Sequence, residues 1–187
     1  AEACVHHLWF TADDYAHYGN LIKCNPPIKA GENKEALWSG VLDDHIDTIA
    51  TDHAPHTWEE KQQSYFKAPG GIPLVQHGFL MMLEYYRKGK ISLGKIAEKM
   101  CHAPADCFQI KERGYIREGY FADLTMVDLN GKTNVNKESL FYKCKWSPFE
   151  GHTFPASVEK TFVNGHLAYN KGTFDDSQKG RRLEFER

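Results

Sequence analysis

Residues 46–56 read Ile46-Asp47-Thr48-Ile49-Ala50-Thr51-Asp52-His53-Ala54-Pro55-His56. The first half of this stretch is short, apolar and β-favouring, the pattern of a strand buried on both faces. The second half turns polar at once, with a carboxylate directly after the strand and imidazoles one and four positions later. Polar chemistry at the carboxyl end of a parallel strand is where α/β folds place their sites. Upstream, Gly31 to Leu42 carries Ala36, Leu37, Trp38, Val41 and Leu42 at helical spacing, with Glu32, Lys34 and Glu35 gathered near its start. Further back, Ala3-Cys4-Val5-His6-His7-Leu8-Trp9-Phe10 reads as another doubly covered strand that begins without a turn or cap. Strand, helix, strand in that order predicts a βαβ unit with parallel pairing. Between them, Thr11 is a helix cap for a brief turn, and Asn25-Pro26-Pro27 forces a loop because proline removes donors and restricts its neighbours.

Downstream lies a polar loop, 57–67, and then Ala68-Pro69-Gly70-Gly71-Ile72-Pro73. Leu74 to Arg87 is predicted as an apolar-striped helix through Leu74, Val75, Phe79, Met82, Leu83 and Tyr86. Ser92 caps a shorter helix, and His102-Ala103-Pro104 opens one more turn to Ile110. After Lys111 the apolar period changes from helical to two. Ala122 to Leu129 reads as a strand ending at Asn130-Gly131, and Val158 to Val163 alternates up to Asn164-Gly165, with His166 to Tyr169 returning as a hairpin. The expected organisation is an α/β part over residues 1–111 and a small β part over 112–187, with a charged tail from Arg181.

Composition narrows the function classes. The 187 residues are 41% hydrophobic and 26% charged, enough for a real core. Lys plus Arg number 23 against 25 for Asp plus Glu, a formal net charge of −2, which gives no footprint for nucleic acid or acidic membranes. The longest apolar stretches, such as Gly78 to Leu83, fall far short of the ~20 residues of a membrane helix, and residues 1–20 lack the greasy core of a signal peptide. The five cysteines are widely spaced, with no CxxC pair, so they read as reduced thiols in a cytoplasmic protein. There is no GxSxG, P-loop or Rossmann fingerprint.

Asp52 is the sharpest candidate for chemistry, since a carboxylate at a strand mouth can bind a metal or take a proton. The same Asp, with His53 and His56, equally suits a capped turn whose imidazoles satisfy backbone groups. His6 and His7, adjacent on a strand, would face opposite sides and serve structure rather than ligation. Asn25 offers a donor and an acceptor to an amide-like ligand, or simply closes a turn. Gly70-Gly71 lets backbone amides approach a small ligand closely, or turns the chain.

Taken in order, Val5-His6-His7-Leu8, Cys24-Asn25-Pro26-Pro27, Ile49-Ala50-Thr51-Asp52-His53-Ala54-Pro55-His56, Gly70-Gly71 and Gly114-Tyr115-Ile116-Arg117-Glu118-Gly119-Tyr120-Phe121-Ala122-Asp123-Leu124 closely resemble the dihydroorotase family of amidohydrolases. The resemblance implies a distorted (β/α)8 barrel with a binuclear zinc centre and a β-sandwich built from both chain ends. It covers nearly the whole chain but only the C-terminal part of the family's usual length. Residues 1–10 would be barrel strand seven and 46–51 strand eight. Asp52 would be the last zinc ligand and the general base, and Asn25, His56 and the Gly70-Gly71 backbone would contact dihydroorotate, with no role assigned to His53. The implied reaction interconverts dihydroorotate and N-carbamoyl-L-aspartate in pyrimidine biosynthesis. By the same resemblance this chain supplies one zinc ligand, so it is expected to be inactive alone and to need a missing N-terminal segment; a homo-oligomer is left open. A non-catalytic dihydroorotase-like structural partner, or another cyclic amidohydrolase such as allantoinase or dihydropyrimidinase, are the competing readings.

Overall fold

The computed structural model describes residues 1–186. Strand β1 (Glu2–Cys4) and strand β2 (Thr48–Ala50) pair in parallel, with Glu2 opposite Thr48, Ala3 opposite Ile49 and Cys4 opposite Ala50. The chain between them forms helices α1 (Val5–Trp9), α2 (Tyr15–Tyr18) and α3 (Gly31–Leu42). The predicted βαβ unit is therefore present, and α3 has the expected bounds. The first strand differs from expectation: it stops at Cys4, and the apolar run continues as α1. A run buried all round carries no period to separate strand from helix, so tertiary contact decides. Here Val5, His6 and Leu8 are buried. The Leu8 carbonyl, one of those a helix end leaves unpaired, accepts hydrogen bonds from Trp38 Nε1 at 2.9 Å and from the Tyr85 hydroxyl at 2.9 Å.

After β2 comes the short helix α4 (Trp58–Lys61), closed by a capping box in which the Glu60 amide donates to Thr57 Oγ1 and the Thr57 amide to Glu60 Oε2. Helix α5 (Gly78–Arg87) starts later than its apolar stripe suggests, because the amides of His77 and Gly78 both fold back onto the Leu74 carbonyl and make residues 74–77 a turn. Gly78 is required there: a Cβ would lie 2.5 Å from Thr51 Cγ2, so its absence lets α5 press against the end of β2. Helix α6 (Leu93–Ala97) is capped by Ser92, whose hydroxyl accepts from the Lys95 amide at 3.1 Å. A π turn over 98–102 leads into helix α7 (Ala103–Phe108).

The tail is β. Strands β3 (Leu124–Asp128), β6 (Ser157–Val163), β7 (His166–Asn170) and β8 (Thr173–Phe174) form an antiparallel sheet in the order β3-β6-β7-β8. The short strands β4 (Thr133–Asn134) and β5 (Thr153–Phe154) pair separately. Asn164 at φ 51° and Gly165 at φ 83° make the tight turn that the Asn-Gly pair announced. No helix among the described residues is long and apolar enough to cross a membrane.

One buried cluster runs from Ala3 through α1, α3 and α5 to Val135, Leu140, Tyr142, Phe149 and Phe154. Within it, fully buried His77 receives the Tyr142 hydroxyl at 3.4 Å and the Ser147 hydroxyl at 3.3 Å on Nδ1. Burial, helped by the nearby His152, holds its pKa down to about 4. An unfolded histidine takes up its proton near pH ~6.5, so between there and pH 4 the unfolded chain binds a proton that the fold refuses. Stability is whole above that window and declines as the pH falls through it, by roughly 3 kcal/mol at the acid end from this residue. Melting temperatures measured from pH 7 to pH 4 are expected to fall accordingly. In His77→Gln, which keeps a donor and an acceptor without a titratable ring, the proton linkage should drop by about one proton.

Candidate functional site

The site begins two residues past β2. Asp52 has φ 46°, in the left-handed region that aspartate tolerates better than most residues, and this bends the chain sharply away from the strand. Asp52 is exposed, and its charge reaches inward: after burial, it is the next cause pushing the thiols of Cys4 and Cys24 up to about 11. Its charge is thus felt both at Cys4, where β1 ends, and at Cys24, next to Asn25.

His53 turns the other way. Its Nδ1 accepts hydrogen bonds from the amides of Leu74 at 3.0 Å and Val75 at 3.2 Å, so it pins the entry to α5. His56 faces the remaining predicted contacts. Its Nε2 donates to the Gly70 carbonyl at 3.1 Å, and its own carbonyl accepts from Trp146 Nε1 at 2.7 Å. Gly71 has φ 145°, and a Cβ there would lie 2.5 Å from the Ala54 carbonyl oxygen and 2.9 Å from His56 Cδ2. A Cβ on Gly70 would lie 3.1 Å from Asn25 Nδ2. Both glycines thus let bare backbone run between the amide of Asn25 and the ring of His56. Asn25 itself is exposed, at a cis peptide bond to Pro26. Asn25, His56, Gly70 and Gly71 come together in one place, and Asp52 precedes His56 by four residues on the loop after β2.

The expectation that His6 and His7 point to opposite faces of a strand is corrected, because they lie in α1. Their ring centroids are 4.2 Å apart. Cys4, His6 and His7 bring one potential ligand atom each to within 4.8 Å of one another. His7 Nε2 sits 2.9 Å from the Pro26 carbonyl oxygen, which ties the cluster to the Asn25 loop. His6 is fully buried, and neither ring nitrogen has a hydrogen-bond partner. Burial first, and His7 second, hold its pKa down to about 3, with the Thr51 main chain pulling weakly the other way without closing a bond of ordinary geometry. A buried imidazole that is neutral and unpartnered carries an uncompensated desolvation cost and is in the form that binds metals. Two nitrogen donors and one sulfur donor fit a borderline divalent ion such as zinc. Residue spacing alone did not reveal this group; the signal was the Cys-x-His-His sequence at the end of a buried strand, legible only once the strand is known to end at Cys4.

A parallel β pair wrapped by helices, with a carboxylate, an imidazole–thiol cluster and a glycine-floored loop gathered at its carboxyl end, defines an α/β protein with an enzyme-type site. The chain belongs to the amidohydrolase family, whose model matches residues 10–168. It is 36% identical over 174 residues to a dihydroorotase of Halobacterium salinarum, covering 92% of this chain and 40% of that protein. It is 35% identical over 183 residues to an allantoinase of Desulfitobacterium hafniense, covering 97% of this chain and 41% of that one. Among solved structures it superposes on the L-hydantoinase (dihydropyrimidinase) from Arthrobacter aurescens with a TM-score of 0.87 at 31% identity, over 92% of this chain and 40% of that one. The chain thus has an α/β amidohydrolase fold and spans about 40% of the length of these relatives.

Proposed function

We propose that this chain is the carboxyl-terminal part of a zinc-dependent dihydroorotase, contributing the last two strands and helices of a (β/α)8 barrel and a segment of the small β-sandwich. The single observation that carries the reading is the convergence of Asn25, His56 and the Gly70-Gly71 backbone. In this reading His6 and Asp52 hold metal, with Cys4 and His7 within reach, and the rest of a relative-sized protein supplies the other ligands. Zinc, when bound, lowers the pKa of water toward ~7 and polarises the scissile carbonyl. Asp52 takes the proton from the attacking water and delivers it to the ring nitrogen as the cyclic amide opens to N-carbamoyl-L-aspartate; condensation runs the same transfer backwards. Asn25 pairs with the imide edge of the ring, since its amide matches a donor and an acceptor at once. His56 keeps its Nε2 hydrogen on Gly70, which fixes the ring orientation; to hold the substrate carboxylate its Nδ1, 3.8 Å from Glu60 Oε2, takes up a proton and becomes a second donor.

The test is an assay of the full-length protein with dihydroorotate, allantoin and hydantoin in parallel. Turnover of dihydroorotate to carbamoyl-aspartate, with little of the other two, is the expected result. Preferential opening of allantoin or hydantoin would move the assignment to those cyclic amides, and turnover of none would leave the structural-partner reading.

A further inference from the structure

Lys61, the last residue of α4, is 1% exposed. Among the described residues its ammonium forms no ion pair; it donates instead to three main-chain carbonyls, of Lys23 at 3.3 Å, Pro69 at 3.0 Å and Gly71 at 2.9 Å. We propose that Lys61 is a positioning residue that clamps the Asn25 loop and the Gly70-Gly71 loop into one substrate-binding surface; this rests on the functional reading above.

The physical case starts from cost. Burying a charge with no counter-ion is expensive unless its donors are all used, and an apolar side chain of similar length would fill the space more cheaply. An ammonium has three N–H donors splayed about one axis, and here each meets one carbonyl. The three acceptors come from two separate loops, so a single point charge fixes their spacing. The same loops meet again where the Gly71 amide donates to the Lys23 carbonyl at 2.8 Å. Lys23 in turn sends its own ammonium to the carbonyls of Tyr65 and Ala68 at 2.5 and 2.6 Å, stitching the polar loop shut over the clamp.

The third substrate contact is tied in as well. The Lys61 ammonium lies 5.8 Å from the Trp146 ring centroid, and that indole holds the His56 carbonyl. The capping box of α4 starts at Thr57, directly after His56, so α4 spaces the clamp from the imidazole by one helical turn. Asn25, His56, Gly70 and Gly71 are all within one or two residues of a group that touches Lys61 or Trp146. Loosening the ammonium should therefore affect substrate affinity more than the chemical step, which belongs to Asp52 and the metal ligands.

The experiment uses the full-length, metal-loaded protein and Lys61→Met, which keeps the length of the side chain and removes the charge. Expected is a rise of about tenfold or more in KM for dihydroorotate with kcat within about threefold, the pattern of lost binding energy. Amide hydrogen exchange should increase together at residues 23–25 and 70–72 and stay unchanged in α5 and β6. Lys61→Arg should not rescue KM, because a planar guanidinium cannot aim three donors into the same cage. A fall in kcat at constant KM, or exchange unchanged in those two loops, overturns the clamp. Should Lys61→Met not fold, Lys61→Gln in the same exchange measurement decides. The exchange readout needs no substrate, so a protein that ignores dihydroorotate yet shows coupled loop exchange keeps the clamp and rejects only the proposed substrate.

Discussion

Asp52→Asn is expected to leave the full-length protein folded while lowering kcat for dihydroorotate by about three orders of magnitude, within the span assigned to a positioned general base. Asparagine has the same shape and is, with aspartate, among the few residues that tolerate a left-handed backbone, so the φ of 46° is kept. The site is exposed, so little packing is at stake. What disappears is the negative charge and the proton acceptor. The same substitution has a second readout that does not depend on turnover. Because the Asp52 charge helps hold the Cys4 and Cys24 thiols up near 11, removing it should bring both down and make them react faster with a thiol reagent at a given alkaline pH. Lost activity with unchanged thiol reactivity would mean that the carboxylate points elsewhere; unchanged activity would remove Asp52 from the mechanism.

The parts of this molecule legible in its sequence are those where local chemistry leaves one solution. The Asn164-Gly165 pair admits a tight hairpin turn, Ser92 offers its hydroxyl to a helix amide, and the spacing from Gly31 to Leu42 fits a helix, whereas the single turn of α4 inside the expected polar loop is too short to show a period. The convergence of Asn25 with Gly70-Gly71 and His56 followed from resemblance rather than from spacing, since nothing in the separation of residues 25, 56 and 70 says that they meet. The first ten residues were misread past Cys4 because a segment buried on every side shows no period. That error hid the pairing of His6 with His7, which on a strand would have pointed apart. Lys61 was invisible for a different reason. In sequence it is one charge in a polar loop, and only three carbonyls from two loops reveal what it does.

His6 gives the sharpest contrast between a structural and a metal-binding histidine, because a second fully buried histidine serves as control. At His6 neither ring nitrogen has a partner, whereas His77 leaves only Nε2 unpartnered and takes hydroxyl contacts from Tyr142 and Ser147 on Nδ1. Removing a polar group whose desolvation is uncompensated costs little, and removing one whose partners stay behind leaves them unpaired. His6→Leu is therefore expected to change the stability of the metal-free protein by less than about 1 kcal/mol, or to raise it, while His77→Leu should destabilise by about 1–3 kcal/mol. Metal content should move the opposite way. Loss of one inner ligand weakens metal binding by at least the ~10-fold that outer-shell changes cost, so His6→Leu should retain much less zinc through dialysis, and His77→Leu should retain the wild-type amount per folded chain. If His6→Leu keeps its zinc and loses stability as His77→Leu does, the imidazole is a core residue, and the Cys4-His6-His7 cluster holds no metal. If it sheds zinc while the metal-free fold stays intact, one of the two unpaired nitrogens of His6 is accounted for, since the ion is the partner that it lacks.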